Sequence, residues 1–173
     1  MKTTQKRSKV LALTAAAVLA GCSLPVLAAG SASATDCLRS VGTVLNLVAD
    51  NQHIGVFYQG FDQCNKTAYA ELHFDSSKAS SDVTSTDPYT DNWIQIADRV
   101  PSGPRLKNSV LPSGDLYWDA GSVPVEQPDE EIFDASTSFY YWTGSHIAYC
   151  YAVTGWKYAD GSPQGAHANC QDV

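Results

Sequence analysis

Basic side chains are scarce in this chain. Only seven lysines and arginines follow residue 34, against eighteen aspartates and glutamates, so that part carries a formal charge of −11. Seven scattered cations cannot build the field that holds a phosphate backbone, which excludes nucleic acid as a partner. An anionic membrane or wall polymer would be repelled for the same reason. No apolar run reaches the ~20 residues that a helix needs to span a bilayer. The sequence also lacks C-x-x-C, H-E-x-x-H and G-x-S-x-G, the patterns of thiolate metal sites, zinc proteases and esterase nucleophiles. There is no long repeat of the kind that builds propellers or solenoids. A hydrophobic content of 44% excludes bulk disorder.

What is present begins with an export signal, residues 1–34. Lys2, Lys6, Arg7 and Lys9 form a basic start, residues 10–20 form an uncharged apolar stretch, and Ala32-Ser33-Ala34 has the small-x-small spelling that signal peptidase cleaves. Cleavage after Ala34 leaves residues 35–173 as a single exported domain. A competing site is Leu19-Ala20-Gly21-Cys22, which resembles a lipobox, in which Cys22 would be lipidated and anchor the protein on the outer face of the cell membrane. The apolar continuation from Ser23 to Ala29 speaks against it, because lipoproteins follow that cysteine with a polar tether. Without Cys22, four cysteines remain: Cys37, Cys64, Cys150 and Cys170. In an oxidising compartment they read as two disulfides with three possible connectivities, of which pairing in order, Cys37 with Cys64 and Cys150 with Cys170, is favoured.

Hydrophobic periodicity predicts a mainly β domain, a small antiparallel sandwich or barrel with one short N-terminal helix. The helix is expected over 36–50, where Leu38, Val41, Val44, Leu45 and Val48 recur at spacings of three and four. Gly42 and the valines weaken it, and 43–48 could open the first strand instead. Period-two alternation follows at 53–59 and again at 67–75, with turn residues and Cys64 between, which predicts a hairpin. Residues 76–91 hold eight Ser or Thr and three Asp and read as a long loop. Further strands are expected at 92–98, 105–111, 115–119, 138–143, 146–154 and 156–158, with an acidic turn at 127–131.

Several groups of residues carry candidate chemistry. Glu71, His73 and Asp75 alternate along one strand and project from one face, as metal ligands or an acid–base pair would, with His53 on the partner strand as a further ligand. The plainer reading is the wet face of a half-buried strand. Asp82, Asp87, Asp91 and Asn92, or Glu126, Asp129, Glu130, Glu131 and Asp134, offer oxygen ligands for calcium, although neither spacing matches an EF-hand; no other cofactor is expected. Ser145 and His146 adjoin, and strand pleating would turn them to opposite faces. Asn65-Lys66-Thr67 fits an N-glycosylation sequon. Aromatic residues crowd the C-terminal segment, and Trp142, Tyr151, Trp156 and Tyr158 are the candidate ligand-binding residues, because such rings join apolar area to a polar tip.

The Ala/Val/Leu-rich signal and the strand–turn–Cys–strand unit around Cys64 resemble small exported domains of high-GC Gram-positive bacteria, and the resemblance carries no catalytic motif. The resulting expectation is a monomeric, non-catalytic secreted protein that binds an extracellular glycan or protein. The alternatives are an inhibitor of an extracellular hydrolase, presenting residues 101–112, and a small hydrolase using acidic residues with His73 or His53.

Overall fold

The computed structural model describes residues 37–85, 92–126 and 131–173. The expected signal and Cys22 lie outside the described residues, as do most of the acidic turn and residues 86–91 of the Ser/Thr-rich loop. No helix among the described residues is long and apolar enough to cross a membrane.

Among the described residues, ten strands and one short helix follow in the order β1 (Leu38–Ala49), β2 (Gln52–Asp62), β3 (Thr67–Phe74), α1 (Ser77–Ser81), β4 (Val83–Thr84), β5 (Trp93–Asp98), β6 (Arg105–Asn108), β7 (Tyr117–Pro124), β8 (Ile132–Trp142), β9 (Ile147–Lys157) and β10 (Ser162–Asp172). They build a four-stranded sheet, β1-β2-β3-β7, and a six-stranded sheet, β10-β9-β8-β5-β6, in which β4 also pairs with β8. All pairings are antiparallel. The sheets stack as a sandwich and do not close into a barrel. The predicted hairpin forms as β2 and β3, and its inward set, Phe57, Ala68, Ala70 and Leu72, is fully buried.

The expected helix over 36–50 is instead strand β1. Its buried residues Val41, Leu47 and Ala49 keep the parity of a strand; the spacing of three and four that imitates a helix comes from Leu38, Val44 and Val48, which are exposed, and two register irregularities, between Val41 and Leu45 and between Leu47 and Val48, break its pairing with β2. Gly42 allows the first of these breaks with φ +71°, a conformation open to glycine at little cost. Asp50 and Asn51, both at positive φ, then close a tight turn into β2. The Ser/Thr-rich loop contains α1, whose N-cap is Ser76, its side chain accepting from the Ala79 backbone N–H, and also contains β4.

One hydrophobic core lies between the sheets. Phe139 of β8 spans it, with ring centroids 6.3 Å from Phe74 and 6.2 Å from Trp118 of the opposite sheet. Both disulfides form in sequence order. Cys37–Cys64 ties the start of β1 to the β2–β3 turn, and Cys150–Cys170 joins residues directly opposed on β9 and β10. Their presence suits an oxidising compartment.

Candidate functional site

Residues directly opposed on antiparallel strands share a face, so the registers map the outer surface of the six-stranded sheet. Trp93, Ser138, Tyr151 and Asn169 form one row across β5, β8, β9 and β10. Gln95, Ser136, Val153 and His167 form the row on one side of it, and Tyr140, Tyr149 and Gln171 the row on the other. Trp142, 41% exposed, stands at the end of β8 beyond Tyr140. The inward partners of these residues are Ile94, Ile96, Thr137, Phe139, Cys150 and Ala152, all buried. The same alternation that fills the core therefore displays the rings.

Small residues on β8 give this face its relief. Ser136 and Ser138 lie low and nearly buried between taller neighbours on β5 and β9. A concavity of about 490 Å³ results, lined by Trp93, Ser138, Tyr140, Tyr149, Gln171 and Asp172, together with Val173. A smaller one continues past it between Tyr149, Tyr151, His167, Asn169 and Gln171. The walls are held in place. The Tyr149 hydroxyl donates to Ser138 Oγ at 3.1 Å, the Tyr140 and Tyr149 rings lie 5.3 Å apart, and Lys107 Nζ sits 5.2 Å from the Trp93 ring centre. Asn92 fastens the edge by donating to the Thr84 carbonyl and accepting from the Tyr140 backbone N–H.

The four aromatic sequence candidates divide between two places. Tyr151 and Trp142 stand on this face. Trp156 and Tyr158 do not: Trp156 opposes buried Phe133, and both line a separate opening between the sheets. Trp93, Tyr140, Tyr149, Asn169 and Gln171 complete the face. Strand parity carries the signal for most of them, since 149, 151 and 153 fall on one side of β9 while 154 and 156 fall on the other.

Glu71 and His73 do share the outer face of the four-stranded sheet, and Tyr58 joins them. The Tyr58 hydroxyl donates to Glu71 Oε2 at 2.6 Å and lies 2.9 Å from His73 Nε2, while Glu71 Oε1 is 2.8 Å from the same nitrogen. Asp75 leaves this group and pairs with His53 Nδ1 at 2.6 Å, with Asn46 Oδ1 3.2 Å from His53 Nε2. The expected ligand set is thus two separate hydrogen-bonded clusters. Burial, reinforced by the hydrogen bond to Glu71 and its charge, raises the Tyr58 phenol far above the ordinary tyrosine range. Because the folded protein holds that proton more tightly than the unfolded chain does, stability falls as pH rises past about 10, where an unfolded tyrosine ionises. We expect the urea midpoint to drop between pH 9 and pH 11, and Tyr58→Phe to drop less. An equal fall in both would contradict this.

Other candidate groups are committed elsewhere. Ser145 and His146 meet in the β8–β9 turn, contrary to the strand expectation. Ser145 Oγ is 2.9 Å from His146 Nδ1, and His146 Nε2 is 2.7 Å from Asp172 Oδ1, off the line a hydrogen bond needs. Thr143 Oγ1 takes up the backbone N–H groups of both Ser145 and His146, so they are not free to stabilise an oxyanion, and the group acts as a turn clasp. Of the calcium candidates, Asp82 pairs with Lys78, Asn92 with backbone groups and Asp134 with Arg99; Asp87, Asp91, Asp129 and Glu130 lie outside the described residues. Among the described residues, the one group of metal-ligating side chains that converges is Cys37, Asp62 and Cys64, and its sulfurs are spent in the disulfide. Residues 101–112 are anchored through β6 to β5 and carry no disulfide of their own. Asn65 is exposed in the β2–β3 turn, its side-chain amide donating to Asp62.

Comparison with protein-family profiles, with curated proteins and with solved structures returns no match.

Proposed function

We propose that this chain is a secreted, non-catalytic glycan-binding module whose binding surface is the outer face of the six-stranded sheet. The observation that carries this is the Trp93–Ser138–Tyr151–Asn169 row with Tyr140, Tyr149 and Gln171 beside it: flat rings alternate with amides and hydroxyls over a floor of small serines. A sugar ring presents an apolar C–H face that stacks on an aromatic ring and a rim of hydroxyls that amides can meet from either side. Trp93 and Tyr151 lie two strand spacings apart, roughly 9.5 Å, about the span of a disaccharide. The strong negative charge of the exported part disfavours acidic polymers, which leaves neutral glycans. Two disulfides suit the extracellular setting in which such polymers occur.

The test is retention on a panel of insoluble neutral polysaccharides, followed by tryptophan-fluorescence titration with soluble oligosaccharides of the retained class. Losing one stacking ring costs about 1–1.5 kcal/mol, so Trp93→Ala and Tyr151→Ala should each weaken binding about tenfold. Tyr117→Ala, on the opposite sheet, should leave it unchanged. Retention that survives both substitutions, or that falls only with Tyr117→Ala, would overturn the assignment.

A further inference from the structure

The two aromatic candidates missing from the glycan face belong to a second opening, at the end of the sandwich where β1 and β2 of one sheet approach β9 and the β9–β10 turn of the other. It measures about 350 Å³ and is lined by Val41, Phe61, Trp156 and Tyr158, with Arg39, Ser40 and Gly161 at its rim. Arg39 opposes Phe61, and Val41 opposes fully buried Gln59 two residues further in, so Arg39 lies on the inter-sheet side of β1. An arginine on that side of a strand is unusual, because the residues that follow it there belong to the core.

Two groups at this mouth can donate to a ligand, the Arg39 guanidinium and the Tyr158 hydroxyl. The Arg39 guanidinium meets the neutral Gln63 side-chain oxygen at 2.6 Å and has no carboxylate partner among the described residues. The Tyr158 oxygen accepts from Gln59 Nε2 at 3.2 Å, which leaves the phenolic hydrogen to be donated elsewhere. Burial, with the Glu131 carboxylate adding to it and the Gln59 bond opposing it, lifts the Tyr158 phenol above its ordinary range, so that proton is retained at neutral pH. The throat itself is apolar: the Phe61 and Tyr158 rings are 4.9 Å apart, and Phe133 closes the inner end against Tyr158 at 5.8 Å.

We propose that this mouth binds a small amphipathic carboxylate, its alkyl or aryl part between Phe61 and Trp156 and its carboxylate received by Arg39 and the Tyr158 hydroxyl. The opening joins apolar ring walls to polar groups at its rim, and its volume lies at the lower end of small-molecule sites. A guanidinium and a phenol select an anion over a neutral body of the same shape. This site is independent of the glycan face and does not rest on that reading.

The test uses the purified protein, titrated by tryptophan fluorescence and calorimetry with decanoate and, as its uncharged counterpart, decanol, both below micelle formation. The expected result is saturable one-to-one binding of decanoate, at least tenfold tighter than decanol. Charge-assisted hydrogen bonds are strong enough that Arg39→Gln should weaken decanoate about tenfold to a hundredfold, with decanol unchanged. Arg39→Lys should fall between, Tyr158→Phe should weaken decanoate, and Trp156→Phe should remove most of the fluorescence change. Thermal melting of each variant checks its fold. Equal binding of the two probes with no effect of Arg39→Gln would mean adventitious apolar uptake and would overturn the proposal, as would no saturable binding at all.

Discussion

Replacing Phe139 by alanine is expected to remove about 3–5 kcal/mol of folding stability, the usual cost of deleting a fully buried aromatic ring. The site leaves little room for relaxation. Phe139 reaches from the six-stranded sheet to Phe74 and Trp118 of the other, so its removal opens a cavity at the contact that joins the two layers. Its neighbours cannot simply collapse inward, because hydrogen-bonded strands on both sides fix the sheet separation. Domains of this size are stable by only about 5–15 kcal/mol, so the loss takes about a fifth or more of the total. Urea unfolding measures it as a lower midpoint with an unchanged slope. Val44→Ala serves as the control: Val44 is exposed on β1 and should change stability by no more than about 0.5 kcal/mol. A Phe139→Ala protein as stable as the parent would contradict the layer arrangement itself.

Removing the Cys150–Cys170 disulfide, by replacing both residues with alanine, is expected to cost about 3 kcal/mol. The bridge closes a 20-residue loop, and the chain-entropy estimate gives roughly that value for such a length. The effect should be uneven along the chain. β10 is hydrogen-bonded to β9 alone, is mostly exposed and packs on β1 and the core through small residues such as Ala168, so the bridge adds a covalent tether to a weakly packed edge strand. Amide exchange in β10 should accelerate well beyond that in β2 and β3, and the proposed glycan binding should weaken with it, because Asn169 and Gln171 ride on β10. Uniform acceleration, or exchange in β10 as slow as in the parent, would show that packing holds the strand without the sulfur bridge.

The parts of the fold legible in the sequence are those whose alternation is complete. The run Ala68, Ala70, Leu72 and Phe74 against Tyr69, Glu71 and His73 has one apolar and one polar face, and the β2–β3 hairpin follows from it directly. β1 misleads because Leu38, Val44 and Val48 are apolar yet exposed and supply a helix-like spacing, and pairing with β2 plus the Cys37 bridge decides its conformation against that spacing. β10 goes unseen because its inward residues, Ala166, Ala168 and Cys170, are small and give no strong hydrophobic signal, while Pro163 and Gly165 suggest a loop. In β8 the inward positions include Ala135 and Thr137, which hides its first half in the same way.

The candidate sites were legible in part. Tyr151 and Trp142 could be picked out as display residues from the aromatic crowding at the C-terminal end, but Trp93 could not, since it lies nearly fifty residues away and joins the row only through the β5–β8 register. Trp156 and Tyr158 differ from Tyr149 and Tyr151 by parity alone, which separates an inward pair from an outward one. On the other sheet, Glu71 and His73 do face the same way, yet the strand ends before Asp75, and His53 draws that carboxylate aside.

The most direct test of the central assignment is a residue-resolved NMR titration of the protein with the oligosaccharide class selected by the polysaccharide panel. Shifts concentrated on β5, β8, β9 and β10, strongest at the indole of Trp93 and the amides of Ser138, Tyr149, Tyr151 and Asn169, are the predicted result. Shifts confined to the four-stranded sheet around Tyr58, Glu71 and His73, or none with any neutral glycan, would contradict it.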